Sequence, residues 1–192
     1  MIGKSTTGND FYGCVRYALD EKSGLKQAHI IGGNTIGSCA AELSAEFSQN
    51  QQAKPHIKNP VWHIALSSPI HEQLSDAQWQ QVAIAYLDCM GLARDNHQYV
   101  VIRHHDEPQG HVHIVANRIG EDGTVHHLRW DRLKTIQATR ALEEEFSFLS
   151  KKPGEGLRQH VRSLIDEAAL DQPSLLTFCQ RLEKRGLVPE LY

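Results

Sequence analysis

The sequence predicts an α+β fold organised around antiparallel strands, and three observations carry that prediction. Residues 61–67 (VWHIALS) alternate, with Trp62, Ile64 and Leu66 on one side and His63, Ala65 and Ser67 on the other, as a half-buried strand requires. Two more strand-like runs, 98–104 (QYVVIRH) and 111–119 (HVHIVANRI), are separated by a short loop with Pro108 and Gly110, which reads as an antiparallel hairpin. Helical periods are interspersed with these strands, which is the pattern of an α+β domain.

Taken in order, residues 1–9 are polar and read as a short first strand leading into a turn at Gly8-Asn9. Residues 10–21 are helical, because Phe11, Cys14, Val15 and Ala18 fall at i, i+3, i+4 and i+7, with Asn9 or Asp10 as N-cap. Residues 28–32 (AHIIG) read as a short strand and residues 39–49 as a helix. Residues 50–60 are polar with two prolines and are expected to be a loop. After the strand at 61–67, Ser75 and Gln78 spell a capping box and Leu74 can staple onto Trp79. Trp79, Val82, Ala83, Tyr86, Leu87 and Met90 then form one apolar stripe, stopped by Gly91. Beyond the hairpin, Glu121-Asp122-Gly123 is a tight turn and residues 124–128 are expected to pair back. Helices are expected over 133–149, 157–169 and 174–185.

Composition restricts what the chain can do. Its 192 residues suffice for one domain with a sizeable core. No apolar run reaches membrane-spanning length and the first residues lack a signal core, so a cytoplasmic protein without membrane insertion is expected. The four cysteines are far apart and form no C-x-x-C pair, which argues against a disulfide framework or a zinc knuckle. The formal net charge of −3 means that any contact with nucleic acid must rely on local positive charge.

Twelve histidines are the compositional oddity, and they cluster in His104-His105-Asp106-Glu107-Pro108-Gln109-Gly110-His111-Val112-His113. On a strand His111 and His113 project from the same face, and His104 can return to them across the hairpin. Three neutral imidazoles hold a divalent ion while leaving positions open for substrate. Asp106 or Glu107 can orient a ligand or take a proton. Two tyrosines, Tyr12 and Tyr17, share the first helix, and periodicity does not separate them.

The run H-x-D-x-x-x-x-H-x-H, an apolar stretch and then Asn-Arg resembles the third motif of plasmid mobilization relaxases. His104, Asp106, His111, His113, Asn117 and Arg118 match it position by position. Residues 11–19 (FYGCVRYAL) are similar to the first motif of that family. Residues 63–67, Leu74-Ser75 and the stretch from Trp79 to Leu92 are similar to its middle motif, and Arg140 to Phe146 resembles the helix that follows. The chain is thereby identified, by resemblance, with the P-type, MobA-like branch of relaxases, within the wider superfamily of HUH endonucleases.

The resemblance implies a central antiparallel sheet carrying the histidines, flanked by helices. It implies strand-specific nicking and rejoining at an origin of transfer through a covalent 5′-phosphotyrosyl intermediate. Spacing from Phe11 in the family motif selects Tyr17 as nucleophile. The implied metal ligands are His104, His111 and His113, holding one Mg or Mn ion, with Asp106 assisting. Arg103, Asn117, Arg118, Arg129 and Lys134 are the candidate DNA contacts. Single-stranded origin DNA, relaxosome accessory proteins and a type IV secretion coupling protein are the implied partners. Residues 1–150 are expected to form the catalytic domain and residues 151–192 its helical extension, within a longer protein. A rolling-circle initiator would place its tyrosine after the histidines, where this chain has only Tyr192. A catalytically silent single-strand-binding module would have no use for both tyrosine and triad.

Overall fold

A computed structural model describes residues 1–69, 72–107, 109–146, 148, 165, 168–169 and 174–184. The chain divides into two units, Met1–Leu149 and Ser150–Tyr192. In the first unit the elements run β1 (Ile2–Gly8), α1 (Phe11–Ala18), β2 (His29–Gly33), α2 (Ala40–Ala53), β3 (Val61–Ser67), α3 (Asp76–Met90), β4 (Tyr99–His104), β5 (His111–Asn117) and α4 (Asp131–Glu145). In the second unit, α5 (Leu175–Glu183) starts at Ser174, whose hydroxyl accepts the Thr177 N–H. The expected helix over 157–169 lies largely outside the described residues, as does Tyr192.

The five strands form one antiparallel sheet in the order β1-β3-β5-β4-β2. The β4–β5 hairpin therefore sits inside the sheet, and β1 and β2 are its edges. Strand alternation gives each face its own core. Trp62, Ile64, Leu66, Val101, Val112 and Ile114 pack against Trp79, Val82, Tyr86 and Leu87 of α3 and Ala138 and Leu142 of α4. On the other face Val61, Val100, Ile102 and Val115 meet Phe11, Val15 and Ala18 of α1 and Leu43 and Phe47 of α2. The result is three layers, helix–sheet–helix, with both faces covered.

Local chemistry sets the element ends. In α3 the Ser75 hydroxyl accepts the Gln78 N–H and the Gln78 side chain accepts the Ser75 N–H, a complete capping box. Gly91 ends α3 with φ +78°, a left-handed turn that glycine adopts without strain. Gly3 on β1 is the close-approach position, where a Cβ would lie 2.8 Å from the methyls of Thr135 and Thr139 of α4.

Three expectations need correction. α2 continues to Ala53, four residues into the stretch expected to be loop, since its Gln- and Asn-rich last turns tolerate solvent. α4 starts two residues earlier than expected and ends at Glu145. Residues 124–128 make only an isolated bridge, Ile119 to Val125, because Asn96 binds Asp122 and Thr124 and holds the turn against the loop before β4.

Candidate active site

The sheet register assembles the site. His104 at the end of β4 lies directly opposite His111 at the start of β5, and His113 follows on the same face. β3 pairs with β5 so that His63 lies opposite Val115 and Ala65 opposite His113, which brings His63 onto this face as well. All three of His104, His111 and His113 are buried, and one nitrogen from each lies within 4.8 Å of the others.

Hydrogen bonds decide which nitrogens face inward. His104 Nε2 lies 2.6 Å from the carbonyl oxygen of Ala18, the last residue of α1. A carbonyl only accepts, so Nε2 carries the proton and Nδ1 is left with its lone pair. That Nδ1 is 3.1 Å from His111 Nε2. His113 Nδ1 is 2.8 Å from His63 Nε2, and the two rings stack with centroids 5.0 Å apart. His111 Nδ1 is buried with no hydrogen-bond partner.

The surroundings favour the neutral form at three of these rings, His113, His63 and His104. Burial is the main cause of a depressed pKa at His113, His63 and His104, reinforced by neighbouring imidazoles and by the Lys26 charge; the Ala18 carbonyl partly offsets this at His104. Neutral, convergent, buried imidazoles are the form that binds a divalent ion. The inward-facing nitrogens of His104 and His111 face each other 3.1 Å apart and have no carbonyl or carboxylate of the described residues within hydrogen-bond distance, which is what an ion-binding cluster leaves open. The residues present therefore fit a metal ion.

Tyr17, on the last turn of α1, is the tyrosine at this site. Its ring meets His113 edge-on at 6.0 Å between centroids and His63 at 6.1 Å, and it is 56 % exposed. The Lys26 ammonium sits 3.9 Å from the Tyr17 ring centroid. Lys26 is itself pinned, because its N–H donates to the Asp20 carboxylate and its carbonyl accepts the His105 N–H. Tyr86 is buried in the opposite core with its hydroxyl on Thr135, and Tyr99 is buried at the start of β4. Tyr12 is half-exposed on the same helix as Tyr17.

Asp106 borders the triad, its Oδ1 3.6 Å from His111 Nε2 and 4.0 Å from His104 Nδ1. The five candidate DNA contacts lie in different surroundings. Arg103 points to the other face of β4 and pairs with Asp76 at the head of α3. Asn117 is buried, its amide donating to the Phe47 carbonyl and its oxygen accepting the Ile119 N–H. Arg118 donates to the carbonyls of His126 and Asn59. Arg129 and Lys134 are exposed at the head of α4. The sequence alone does not mark His63 and Lys26 as site residues. Strand alternation does put His63 on the face opposite the apolar row, but only the β3–β5 register says that this is the histidine face.

The family model described as relaxase, MobA/VirD2-like, nuclease domain matches residues 17–148. No match is found among curated proteins or among solved structures. The matched stretch runs from Tyr17 through the histidine hairpin to the end of α4, most of the chain, and carries a buried triad able to hold a metal. The chain therefore belongs to the MobA/VirD2-like relaxases and contains their nuclease domain.

Proposed function

We propose that this nuclease nicks and rejoins one strand of DNA at an origin of transfer, with Tyr17 as the nucleophile. The observation that carries the proposal is the contact of the Tyr17 ring with His113 and His63, which no other described tyrosine shares. Tyr17 Oη attacks phosphorus, a bond from Oη to phosphorus forms, and the bond to the 3′ oxygen breaks. The 3′ oxygen leaves as a hydroxyl after taking a proton, and the 5′ phosphate remains on the tyrosine. The ester keeps the energy of the broken bond, so the 3′ hydroxyl can reverse the step without a nucleotide cofactor.

His104, His111 and His113 are assigned to one divalent ion, which when bound polarises a non-bridging phosphate oxygen. Of Mg and Mn, the all-nitrogen donor set favours the softer Mn. The remaining groups prepare the site. The Ala18 carbonyl fixes the His104 tautomer with Nδ1 bare. His63, accepting the His113 Nδ1–H, leaves His113 Nε2 as the bare nitrogen. Asp106, whose Oδ1 comes within 3.6 Å of the inward-facing Nε2 of His111, is assigned to receive the phenolic proton. Lys26 supplies a fixed positive charge beside the Tyr17 ring, where the phosphate arrives. Arg129 and Lys134 are assigned to phosphate contacts, because their heads are exposed. The internal bonds of Arg103, Asn117 and Arg118 support a scaffold contribution to binding. Relaxosome accessory proteins, a type IV secretion coupling protein and a cytoplasmic setting complete the proposal, and no helix among the described residues is long and apolar enough to cross a membrane.

The test is to incubate the protein with single-stranded origin DNA and Mn or Mg and look for a protein–DNA adduct that survives denaturation. Tyr17→Phe should abolish the adduct while metal and DNA binding stay nearly intact, and Tyr12→Phe should keep it. Loss of the adduct in Tyr12→Phe with retention in Tyr17→Phe reverses the assignment.

A further inference from the structure

We propose that Trp130 is a stacking platform for a base of single-stranded DNA, placed at the β1 edge of the sheet. Three tryptophans occur in the chain; Trp62 and Trp79 are fully buried, whereas Trp130 is 64 % exposed. Its backbone is left-handed, with φ +62° and ψ +29°, at the cap position of α4. Glycine or asparagine holds that conformation more easily than a bulky aromatic does, so local stability does not account for an indole here. The helix that follows turns Thr135, Ala138, Thr139 and Leu142 inward. Leu133 and Ile136, both exposed, continue from Trp130 along the outward side.

Charge identifies the occupant. The Arg129 guanidinium lies 6.0 Å from the Trp130 ring centroid, and Arg132, Lys134 and Arg140 are exposed nearby in sequence. The one acid in this stretch, Asp131, is already engaged: its Oδ1 accepts the Arg132 N–H at 2.8 Å and its Oδ2 the Ser5 hydroxyl at 3.4 Å. A cationic run in a chain of net charge −3 suits a polyanion. An aromatic face among cations is the combination that takes single strands, since every base has a π-face and phosphates flank it. The location also suits. Ser5 pairs with Ile64, next to His63 on β3, so the platform stands two strands from the triad and round the β1 edge. The proposal rests on the chain being a nuclease that handles single-stranded DNA, and it adds where the strand is held beyond the cleavage site.

The experiment uses the whole chain in EDTA, so that no cleavage intervenes. An oligo(dT) strand and an abasic strand of equal length are titrated while tryptophan emission and the anisotropy of the labelled strand are followed. Because only Trp130 is solvent-exposed, stacking should quench its emission with oligo(dT) and leave it unquenched with the abasic strand. Trp130→Ala should weaken oligo(dT) binding about tenfold, the effect of losing one stacked base. It should leave the abasic affinity unchanged, and Trp130→Phe should retain most of the oligo(dT) affinity. Tight oligo(dT) binding without quenching, equal in wild type and Trp130→Ala, overturns the platform and spares the nuclease reading. Binding of neither strand overturns both. A concentration-dependent blue shift without DNA, with dimers in sedimentation, assigns the indole to a second copy of the chain and overturns the proposal as well.

Discussion

His104 and His113 each have a protein partner on the nitrogen away from the triad, whereas the buried Nδ1 of His111 has none. Partners of this kind fix the tautomer and hence the direction of the lone pair. His63→Phe keeps a ring against Tyr17 and His113 but removes the acceptor for His113. We expect metal affinity, measured by calorimetry, to fall by about 10–100-fold, the usual effect of losing such a partner. The His111→Ala/His113→Ala double variant should lose metal binding altogether, and EDTA should abolish nicking by the wild type. Unchanged metal binding in the double variant would refute the ligand assignment. Lys26→Gln should slow adduct formation at unchanged metal affinity, with Lys26→Arg restoring part of the rate. The triad was legible in the sequence because H-x-H and its hairpin are local. His63 and Lys26 were not, since their place depends on strand pairing over some fifty residues and on a loop tied to Asp20.

Each strand and helix boundary reflects a balance between local signals and tertiary demand. The capped helix α3 was readable almost to the residue, because capping box, apolar stripe and terminal glycine agree. The sheet order was not readable. β3 pairs with β1 and β5, neither of them adjacent to it in sequence, and nothing in an alternating run names its partner. The β1–α4 contact depends on Gly3, where any Cβ presses on Thr135 and Thr139. Gly3→Val should therefore destabilise the fold by about 1–3 kcal/mol through overpacking, seen as a lower melting temperature. Gly8→Val, on the same strand with open contact at 3.8 Å, should cost less. Equal losses in the two variants would show that the cost comes from strand propensity and not from the α4 contact.

Over the whole molecule, charge and buried histidines set the response to solution conditions. The chain is acidic overall, so DNA must be held by local patches, and affinity should fall steeply as salt rises. A flat salt dependence would contradict phosphate contacts. His126 stacks on Trp62, and burial first, then His97 and nearby cations, push its pKa down to about 4. Unfolded histidine binds a proton near pH 6.5, so between these values the unfolded chain holds more protons. Stability present above pH 6.5 should thus be lost as pH falls toward 4, and His63 and His113 act in the same direction. Melting in EDTA should show a lower midpoint at pH 5 than at pH 7, and His126→Phe should shrink the difference. The bond from His104 to the Ala18 carbonyl has a consequence at this scale too. It joins a ligand of the triad to the end of the helix bearing Tyr17, so the two equilibria are reciprocally linked. An ion drawing on Nδ1 of His104 strengthens donation from Nε2 and steadies α1, and fraying of α1 weakens the hold on the ion. Hydrogen exchange of the α1 amides should slow when Mn is added. Under the proposed assignment of Tyr17, the nucleophile would be firmly presented only after the site is charged with metal, an order of assembly that would keep a metal-free protein from committing its tyrosine to DNA.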